Sequence, residues 1–248
     1  MLDINRLTVK RGSKTVLSDL ALSLPTGSIT ALIGKNGSGK STLLSAIGGT
    51  CPFSGEVLWD GILLSSLSPR ERARRVSLLP QSLPAPHMTV RELVLLGRHP
   101  YRPAFSGASA TDLSAVEAAL CEVEIGHLAN RYTDEISGGE RQRAYLGMIL
   151  AQNAPLWLLD EPTAYMDISV AARFLELLKK WKLEKTLLVA IHDINNALRY
   201  ADRIALLDGN RLAFFGTVTE CLATSVIEET FSVRRVAANG EVFFVGDS

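Results

Sequence analysis

The stretch ITALIGKNGSGKSTLL, Ile29–Leu44, decides the fold. It places an apolar strand, a glycine-rich turn and an apolar helix in direct succession, which is the context that a phosphate-binding P-loop requires. Glycines let the backbone curl so that successive N–H groups face one anion, and the following helix directs the positive end of its dipole there. A glycine-rich turn that carries a lysine by chance is the alternative. The complete match from Gly34 to Ser41 disfavours it.

The same loop indicates which groups contact the phosphates. Lys40 is placed to reach the β- and γ-phosphates of a nucleotide, and the Ser41 hydroxyl is placed to ligate Mg²⁺. The glycines and the residues between them supply backbone N–H groups. The loop residues predicted to bind nucleotide are Gly34, Asn36, Gly37, Ser38, Gly39, Lys40 and Ser41.

Two adjacent carboxylates follow a second apolar strand, in LWLLDEP, Leu156–Pro162. A strand that ends there places them at the carboxyl edge of a parallel sheet, where α/β folds bind ligands. One carboxylate can hold Mg²⁺ through water, and its neighbour can orient or deprotonate an attacking water. We assign Asp160 to the metal and Glu161 to the base. The alternative is a solvated pair at a strand end, which the P-loop in the same sheet disfavours.

A histidine leaves the predicted sheet one strand later. LLVAIHD, Leu187–Asp193, is another apolar strand, and His192 follows it at the same edge. A single histidine more often has a structural role than a catalytic one. This one leaves the sheet edge where a side chain can meet a γ-phosphate, so His192 is a candidate catalytic residue.

The composition indicates a globular chain and limits its partners. With 248 residues, 47% of them hydrophobic, the chain can bury a large core. Its 26 basic and 26 acidic residues cancel, which argues against a nucleic-acid partner. Three scattered cysteines without metal-ligand spacing are typical of a reducing compartment. A charged start, and the lack of any apolar run of about 20 residues, predict a soluble, cytosolic chain.

The first part of the chain is rich in predicted strands. Leu2–Val9, Leu20–Leu24 and Ser28–Ile33 have strand-like patterns, and Trp59–Gly61 predicts a hairpin turn. Strands and helices alternate again after residue 155, which implies a parallel sheet covered by helices. We therefore assign 1–83 and 155–215 to one α/β core with an antiparallel β subdomain.

The middle of the chain has helical periodicity instead. Leu113, Val116, Leu120 and Val123 recur at helical spacing, so residues 84–154 are predicted to form an inserted helical subdomain. Residues 216–248 are predicted to form a small α/β tail. The pair Asp208-Gly209, before the tail, and the pair Asn239-Gly240, within it, each predict a hairpin turn.

A helix start at EISGGERQRA, Glu135–Ala144, contains more than a helix needs. Ser137 followed three residues later by Glu140 is a capping-box pattern, in which each side chain satisfies a free backbone N–H. The pairs Ser68/Glu71 and Thr89/Glu92 have the same spacing with no glycine between them. A cap therefore does not explain Gly138 and Gly139.

These motifs together resemble the ATP-binding cassette proteins of ABC transporters, over nearly the whole chain and in the family's order. The matching segments are Gly34–Thr42 (Walker A), Gln81 (Q-loop), Ile136–Glu140 (signature), Leu156–Glu161 (Walker B with its glutamate), Ala164–Asp167 (D-loop) and His192 (switch histidine). The resemblance implies a P-loop NTPase core of the RecA-like type, an antiparallel β subdomain and an inserted helical subdomain. It also implies ATP hydrolysis with Mg²⁺ in a homodimer of cassettes.

The family's architecture gives each residue a role. Lys40, Ser41, Thr42, Gln81 and Asp160 would hold ATP and Mg²⁺, with Ser41, Gln81 and Asp160 on the metal side. Glu161 would activate water and His192 would steady the γ-phosphate, which makes Gln81, Lys40, Glu161 and His192 the implied catalytic set. Ser137, Gly138 and Gly139 of the second copy would close over that phosphate, which explains the glycines, and Asp167 would link the two sites.

Two positions depart from the family's pattern. Glu140 stands where glutamine is common, and because a carboxylate facing ATP would be unfavourable, we predict that it turns toward the backbone or toward Arg141 or Arg143. Arg11 stands where an aromatic residue usually stacks on adenine. A guanidinium plane can also stack on a base, with Val16 adding apolar contact. A solvated turn residue is the alternative for Arg11.

The segment VRELVLLGRHPYRPAF, Val90–Phe105, resembles importer ATPases that serve iron–siderophore, heme and vitamin B12 systems, where a Gly-Arg-x-Pro core is common. The resemblance implies that Gln81–Pro103 docks a transmembrane permease at the cytoplasmic face of the inner membrane, with a substrate-binding protein acting indirectly. The alternative is a plain loop, in which Gly97 caps a helix and Pro100 blocks its continuation.

The preferred function is therefore an ATPase that energises iron–siderophore import. Heme and cobalamin remain open as cargoes, and manganese or zinc is disfavoured. A soluble ABC ATPase that acts on nucleic acid is the alternative of a different class. One cassette without a coiled-coil insertion, and neutral charge, argue against it. A GTPase is disfavoured because the chain lacks a guanine-reading Asn-Lys-x-Asp.

Overall fold

The computed structural model describes residues 1–103, 106–164, 166–238 and 241–246. Within them the strands are β1 (Leu2–Arg11), β2 (Lys14–Leu24), β3 (Ile29–Gly34), β4 (Ser54–Trp59), β5 (Ile62–Leu63), β6 (Val76–Leu79), β7 (Leu156–Asp160), β8 (Thr186–Ala190), β9 (Arg203–Asp208), β10 (Arg211–Thr217), β11 (Val233–Ala238) and β12 (Glu241–Gly246). The α-helices are α1 (Lys40–Gly48), α2 (Pro69–Ala73), α3 (Val90–Leu96), α4 (Ala110–Glu122), α5 (Gly138–Gln152), α6 (Ile168–Trp181), α7 (Ile194–Tyr200), α8 (Val218–Leu222) and α9 (Val226–Phe231).

The main sheet has the strand order β10-β9-β3-β8-β7-β6 and is parallel except for β10, which pairs antiparallel with β9. Strands β7 and β8 are buried along their whole length, because the sheet is covered on both faces. Side chains alternate between those faces: Trp157 and Leu159 belong to one core cluster, and Leu156 and Leu158 to the other.

Helix α1 lies between the main sheet and a second, antiparallel sheet of order β2-β1-β4-β5. Leu43, Leu44 and Ile47 of α1 share a core cluster with residues from both sheets. The turn at Asp60-Gly61 joins β4 to β5 with positive φ at both residues, which matches the right-handed twist of the strands it connects.

The helical part packs against the other face of the main sheet. Helices α3, α4 and α5 contact one another, and their buried side chains join the same cluster as Trp157 and Phe174. Beyond β10, helices α8 and α9 lead to the antiparallel hairpin of β11 and β12. Its predicted turn, Asn239-Gly240, lies outside the described residues, whereas the turn at Asp208-Gly209 joins β9 to β10 as predicted.

The predicted fold class is confirmed: an α/β cassette with a mixed main sheet, an antiparallel sheet and helices. Two strand boundaries differ from the sequence-based ones. Strand β2 begins at Lys14 rather than Leu20, because its pairing with β1 extends the ladder past the apolar pattern. Gly216, expected to open the tail, lies in β10 and pairs with Ile204. The division at residues 84 and 155 stays a prediction. In the described part of the chain, every helix is too short or too polar for a membrane span.

Candidate functional site

Four neighbouring strands of the main sheet end at one edge, and each end carries a predicted site residue. In sheet order, β3 leads into the P-loop, β8 is followed by His192, β7 ends in Asp160 and is followed by Glu161, and β6 is followed by Gln81. Because these strands are parallel, their carboxyl ends meet at the same edge. Residues up to 158 positions apart in the sequence, Gly34 and His192, are thereby brought to one place.

The P-loop runs from the end of β3 into α1 with the backbone that its glycines permit. Gly37 and Gly39 have φ values of 80° and 102°, in the left-handed region that favours glycine. A β-carbon on Gly39 would also lie 2.5 Å from a methyl carbon of Leu17. Gly39 caps α1 without a side-chain hydrogen bond, so the N–H groups of the first turn face the loop without a capping oxygen.

Lys40 lies under the loop that it follows. Its Nζ donates to the carbonyl oxygens of Gly34, at 2.7 Å, and Lys35, at 3.3 Å, and the residue is only 6% exposed. Burial lowers the pKa of the Lys40 ammonium, and the carboxylates of Glu161 and Asp160 oppose that effect. The ammonium is therefore held by two carbonyl oxygens, close enough to Glu161 and Asp160 to be influenced by their charges, and it can exchange those bonds for phosphate oxygens.

Asp160 is a buried carboxylate with an unused acceptor. It is 5% exposed, and its Oδ1 atom has no hydrogen-bond partner among the described residues. Burial raises the pKa of Asp160; the Ser41 hydroxyl lowers it, the charge of Glu161 raises it and the charge of Lys40 lowers it. A buried acceptor without a partner is costly unless another group satisfies it.

These atoms fit the requirements of a magnesium ion. Mg²⁺ prefers oxygen ligands and keeps several waters, and it is typically bound by one or two carboxylates together with substrate phosphates. The Ser41 hydroxyl, the Gln81 amide oxygen and the unpartnered Asp160 Oδ1 are oxygen donors of this kind. Within the described residues, no three His, Cys, Asp or Glu side chains converge on a metal site. The ion would therefore depend on the nucleotide's phosphates for much of its coordination.

Glu161 is held by a glutamine from the neighbouring strand's loop. Gln81 Nε2 donates to Glu161 Oε2 at 2.9 Å, and the Gln81 amide oxygen has no hydrogen-bond partner in the described part of the chain. The Glu161 backbone has a φ of 48°, uncommon for a residue with a β-carbon, and its N–H donates to Ala190 O at 3.2 Å. An unusual backbone at this position turns the side chain out of β7 toward the loop of β6.

A cleft of about 720 Å³ opens over this edge of the sheet. Its lining includes Arg11, Val16, Asn36, Gly37, Gly39, Lys40, Ser41, Thr42, Gln81, Glu161 and His192. Gly34 and Ser38 belong to the same loop as the lining glycines, and Asp160 directly precedes Glu161 at the end of β7. Arg11 is exposed at the end of β1, opposite Lys14 across the hairpin, so both the stacking role and the solvated-turn alternative fit its position.

The signature residues do not line this cleft. Ser137 caps α5: its N–H and hydroxyl donate to Glu140 Oε2 at 2.8 and 2.7 Å, and the Glu140 N–H donates to Ser137 Oγ at 3.3 Å. Glu140 is therefore turned toward the helix backbone, as expected. Gly138 and Gly139 form the first turn of α5, and Asp167 is exposed at the start of α6, where its side chain makes no cap bond with the described residues. Tyr165, in the predicted D-loop, lies outside the described residues.

Two further residues at the site, Lys14 and Gln142, were not predicted from the sequence. Lys14 lines the cleft beside Arg11 and adds positive charge there. Gln142 is 2% exposed, and its Nε2 donates to the carbonyl oxygen of Pro162, next to Glu161. Gln142 lies on the same face of α5 as Tyr145, Leu146 and Ile149, which are buried. A polar residue at such a position usually has a buried hydrogen-bond partner, so this spacing could have predicted the contact.

Comparison with known proteins agrees with this geometry. The family model for ABC transporters matches residues 17–164, more than half of the chain. FepC, the ferric enterobactin transport ATP-binding protein of Escherichia coli (strain K12), is 40% identical over 92% of this chain and 86% of its own length. HmuV, the hemin import ATP-binding protein of Myxococcus xanthus (strain DK1622), is 39% identical over 94% of this chain and 90% of its own length.

A solved structure of a bacterial ABC transporter cassette, determined as a dimer, superposes with a TM-score of 0.78 at 30% sequence identity, covering 88% of this chain and 99% of that one. The P-loop, the strand-end carboxylates and the signature helix thus occur in a chain that matches the family in both sequence and fold. The chain belongs to the ATP-binding subunits of ABC transporters, of the siderophore and heme import type, and is an ATPase that energises transport.

Proposed function

We propose that this chain is the ATP-hydrolysing subunit of an ABC importer for iron chelates, and that its cargo is an iron–siderophore complex. The observation that carries the ATPase part is the convergence of the P-loop, Asp160, Glu161, Gln81 and His192 at four adjacent strand ends over one cleft. A single edge then offers phosphate-binding N–H groups, a cation, a metal-binding carboxylate and a base, which are the parts that phosphoryl transfer needs.

ATP binds with its triphosphate over the start of α1. Backbone N–H groups of Gly37 and Gly39 face the β-phosphate, and Lys40 leaves the carbonyl oxygens of Gly34 and Lys35 to pair with phosphate oxygens. Ser41, Gln81 and Asp160 would hold Mg²⁺. When bound, this ion neutralises the charge that develops on the phosphate oxygens. Arg11 and Val16 also line the cleft and would contact the adenine of ATP.

Hydrolysis depends on how Glu161 is presented. Its carboxylate orients and deprotonates the attacking water, and the Gln81 bond restrains it in the cleft. His192, on the neighbouring strand's loop, donates to a γ-phosphate oxygen. Positioning and charge supply most of the catalysis in such a site, because the protein has little covalent chemistry to perform.

A second copy of the chain completes the site. Ser137, Gly138 and Gly139 are exposed or half-buried and lie outside the cleft of their own copy, so they are available to another one. In the dimer their helix start faces the γ-phosphate of the partner copy, and Asp167 lies between the two sites. The dimeric state of the solved relative supports this arrangement.

A groove of about 820 Å³ supports the docking of a permease near Gln81–Pro103. It lies between α2, the segment after α3 and helix α5, and its lining includes Arg70, Leu96, Pro100 and Met148. Leu96 is 45% exposed there, which suits contact with another protein. Phe105, at the end of the matched segment, lies outside the described residues. Docking on this groove would hold the chain at the cytoplasmic face of the inner membrane.

The glycine and arginine of the Gly-Arg-x-Pro segment make packing contacts in addition to ending α3. Gly97 has a right-handed backbone, so the left-handed cap conformation does not require glycine there. A β-carbon on Gly97 would instead lie 2.2 Å from the Met148 carbonyl oxygen of α5. Arg98 then pairs with Asp112 at 3.0 Å and lies over the ring of Tyr101 at 4.2 Å. The segment is thus a tightly fitted wall of the groove.

The cargo is assigned through the relatives. FepC is named for ferric enterobactin and HmuV for hemin, at nearly equal identity. Both names describe iron chelates; the siderophore is preferred here, and heme is the second candidate. Cobalamin rests on the resemblance of Val90–Phe105 alone.

Uptake measurements test the proposal. Host cells carrying the native chain or Glu161→Gln would be given labelled ferric siderophore, heme and cobalamin in separate experiments. Loss of ferric siderophore uptake alone in the variant supports the proposal, and loss of heme uptake alone transfers the cargo to heme. Unchanged uptake of all three, with the variant still binding ATP and failing to hydrolyse it, would contradict the importer assignment while leaving the ATPase intact.

A further inference from the structure

The C-terminal hairpin of β11 and β12 is joined to helix α7 by a reciprocal pair of hydrogen bonds. The Phe244 N–H donates to Asn195 Oδ1 at 2.8 Å, and Asn195 Nδ2 donates to the Phe244 carbonyl oxygen at 3.3 Å. An asparagine amide can imitate a peptide group in this way, as two facing residues do in antiparallel strands. Because the backbone N–H can only donate, the orientation of the amide is fixed by the contact.

The hairpin is itself anchored on its other side. The Phe244 side chain is 6% exposed and belongs to the core cluster beneath the main sheet. Arg235, opposite Phe244 in the ladder, donates to the carbonyl oxygens of Leu222 and Thr224 at 2.5 and 2.7 Å and pairs with Glu228 at 2.9 Å. Asn195 therefore binds to a support that is fixed to α8 and α9.

Helix α7 needs such a support at its start. It is seven residues long, and helices of that length are marginal without tertiary contacts. Its buried residues, Ala197 and Tyr200, lie in its later part. Its first turn is held by Asp193, whose Oδ1 accepts from the Asn196 N–H at 2.7 Å, and by the bonds of Asn195 to the hairpin.

His192 lies between this helix start and the end of the sheet. On one side, β8 ends at Ala190 and the Ile191 N–H donates to Leu32 O at 3.2 Å. On the other side, α7 begins two residues after His192. Because the segment is so short, the position of His192 depends on how β8 and α7 are held at its two ends. His192 lines the nucleotide cleft.

We propose that Asn195 is a positioning residue: by tying α7 to the C-terminal hairpin, it fixes the segment that presents His192 to the γ-phosphate of ATP. The inference rests on the proposed role of His192 in hydrolysis. It gives the C-terminal hairpin a role in hydrolysis, although none of the described hairpin residues lines the nucleotide cleft.

The chain supplies a matched control in the neighbouring residue. Asn195→Ala removes both bonds to Phe244. Asn196→Ala makes the same chemical change in the same helix, and the Asn196 side chain forms no hydrogen bond with the described residues. Both variants gain the same helix propensity, so a difference between them reports the contact with the hairpin.

The first measurement is amide hydrogen exchange in the nucleotide-free full-length protein. We expect exchange of residues 192–198 to be about ten-fold faster in Asn195→Ala than in Asn196→Ala, because the first turn of α7 loses its support. Equal exchange in the two variants would overturn the inference, since the hairpin would then not hold the helix.

The second measurement is ATP hydrolysis by the two variants with and without His192→Ala. We expect Asn195→Ala to lower kcat about five-fold with KM for ATP within about two-fold, and to have no further effect when His192 is already alanine. An equal fall in the His192→Ala background would overturn the inference, because the effect would then bypass His192. If His192→Ala alone hydrolyses normally, the inference fails while the ATPase function, tested through Glu161, stands.

Discussion

Gln81 Nε2 donates a hydrogen bond to Glu161 Oε2 over 2.9 Å, across the ends of two neighbouring parallel strands. The bond joins the residue that we assign to the metal with the residue that we assign to the attacking water. The bond uses the N–H₂ group of the Gln81 amide. The carbonyl oxygen of the same amide can then bind a cation. The bond therefore couples the position of the Glu161 carboxylate to the position of the Gln81 amide oxygen.

Glu161→Gln should abolish hydrolysis and leave ATP binding intact. The substituted amide can still accept from Gln81 through its carbonyl oxygen, so the local structure is kept while the base is lost. We expect kcat to fall by about 10² to 10⁴, measured as phosphate release, with ATP affinity unchanged. Glu176→Gln, the same change on the exposed face of α6, is the control and should behave as the native chain. Normal turnover in Glu161→Gln would refute the assignment of the base.

The left-handed backbone at Glu161 predicts a second effect, on stability. A residue with a β-carbon at a φ of 48° pays about 1 kcal/mol that glycine does not. Glu161→Gly should therefore be about 1 kcal/mol more stable than Glu161→Ala in denaturant unfolding, although neither hydrolyses ATP. Equal stabilities of the two variants would mean that the position carries no strain.

The Glu140 carboxylate predicts an effect on nucleotide affinity. Hydrogen bonds from the Ser137 side chain and then from its backbone lower the pKa of Glu140, so the carboxylate is charged at the start of the signature helix. Glu140→Gln keeps an oxygen that accepts from Ser137 and removes a negative charge from the helix start that we propose lies over the ATP of a second copy. We expect KM for ATP to fall about three-fold.

The control for Glu140→Gln is Glu92→Gln, since Glu92 forms the same capping box with Thr89 at the start of α3. Both variants should lose a similar, small part of their thermal stability. A fall in KM in both variants, or in neither, would show that the charge of Glu140 does not act on the nucleotide.

Asp112 predicts how stability depends on acid. Hydrogen bonds from Ser109 and the ion pair with Arg98 lower the pKa of Asp112 from 3.8 to about 2. A group whose pKa is lowered by folding stabilises the native state above its unfolded pKa, and that contribution is lost as the pH falls toward the folded value. The stabilising effect of Asp112 should thus be complete above pH 4 and disappear between about pH 4 and 2.

Urea unfolding of the native chain and of Asp112→Asn at several pH values measures this effect. The difference in unfolding free energy between them should be largest above pH 4 and should shrink below it. A constant difference for Asp112→Asn down to pH 2 would contradict the prediction.

The sequence predicted the local elements better than their assembly. The run from Ile29 to Leu44 indicated a strand, a phosphate loop and a helix, and the structure has them there because glycine backbone and apolar periodicity are local properties. The capping boxes at Ser68, Thr89 and Ser137 were equally predictable, since each needs only residues three positions apart.

Contacts between distant segments could not be predicted in the same way. The bond from Gln81 to Glu161 depends on β6 and β7 being neighbours in register, which periodicity does not specify. The bond from Gln142 to Pro162 and the pair Asn195–Phe244 depend on helix packing. The backbone strain at Glu161 has no pattern in the sequence, because left-handed conformations of residues other than glycine are imposed by tertiary contacts.

Gly97→Ala should destabilise the protein through the close approach of α3 and α5. Its β-carbon would lie 2.2 Å from the Met148 carbonyl oxygen and 2.9 Å from the Gln152 backbone nitrogen, neither of which can move without shifting α5. We expect a loss of about 2 kcal/mol in denaturant unfolding. Because α5 carries Ser137 at its start, the shift should also raise KM for ATP. Gly126→Ala is the control, since a β-carbon there meets no atom of the described residues within 4 Å and its backbone is not in the left-handed region. If the two variants are equally stable, the glycine before Arg98 is not required for packing, and the fitted wall of the groove needs another explanation.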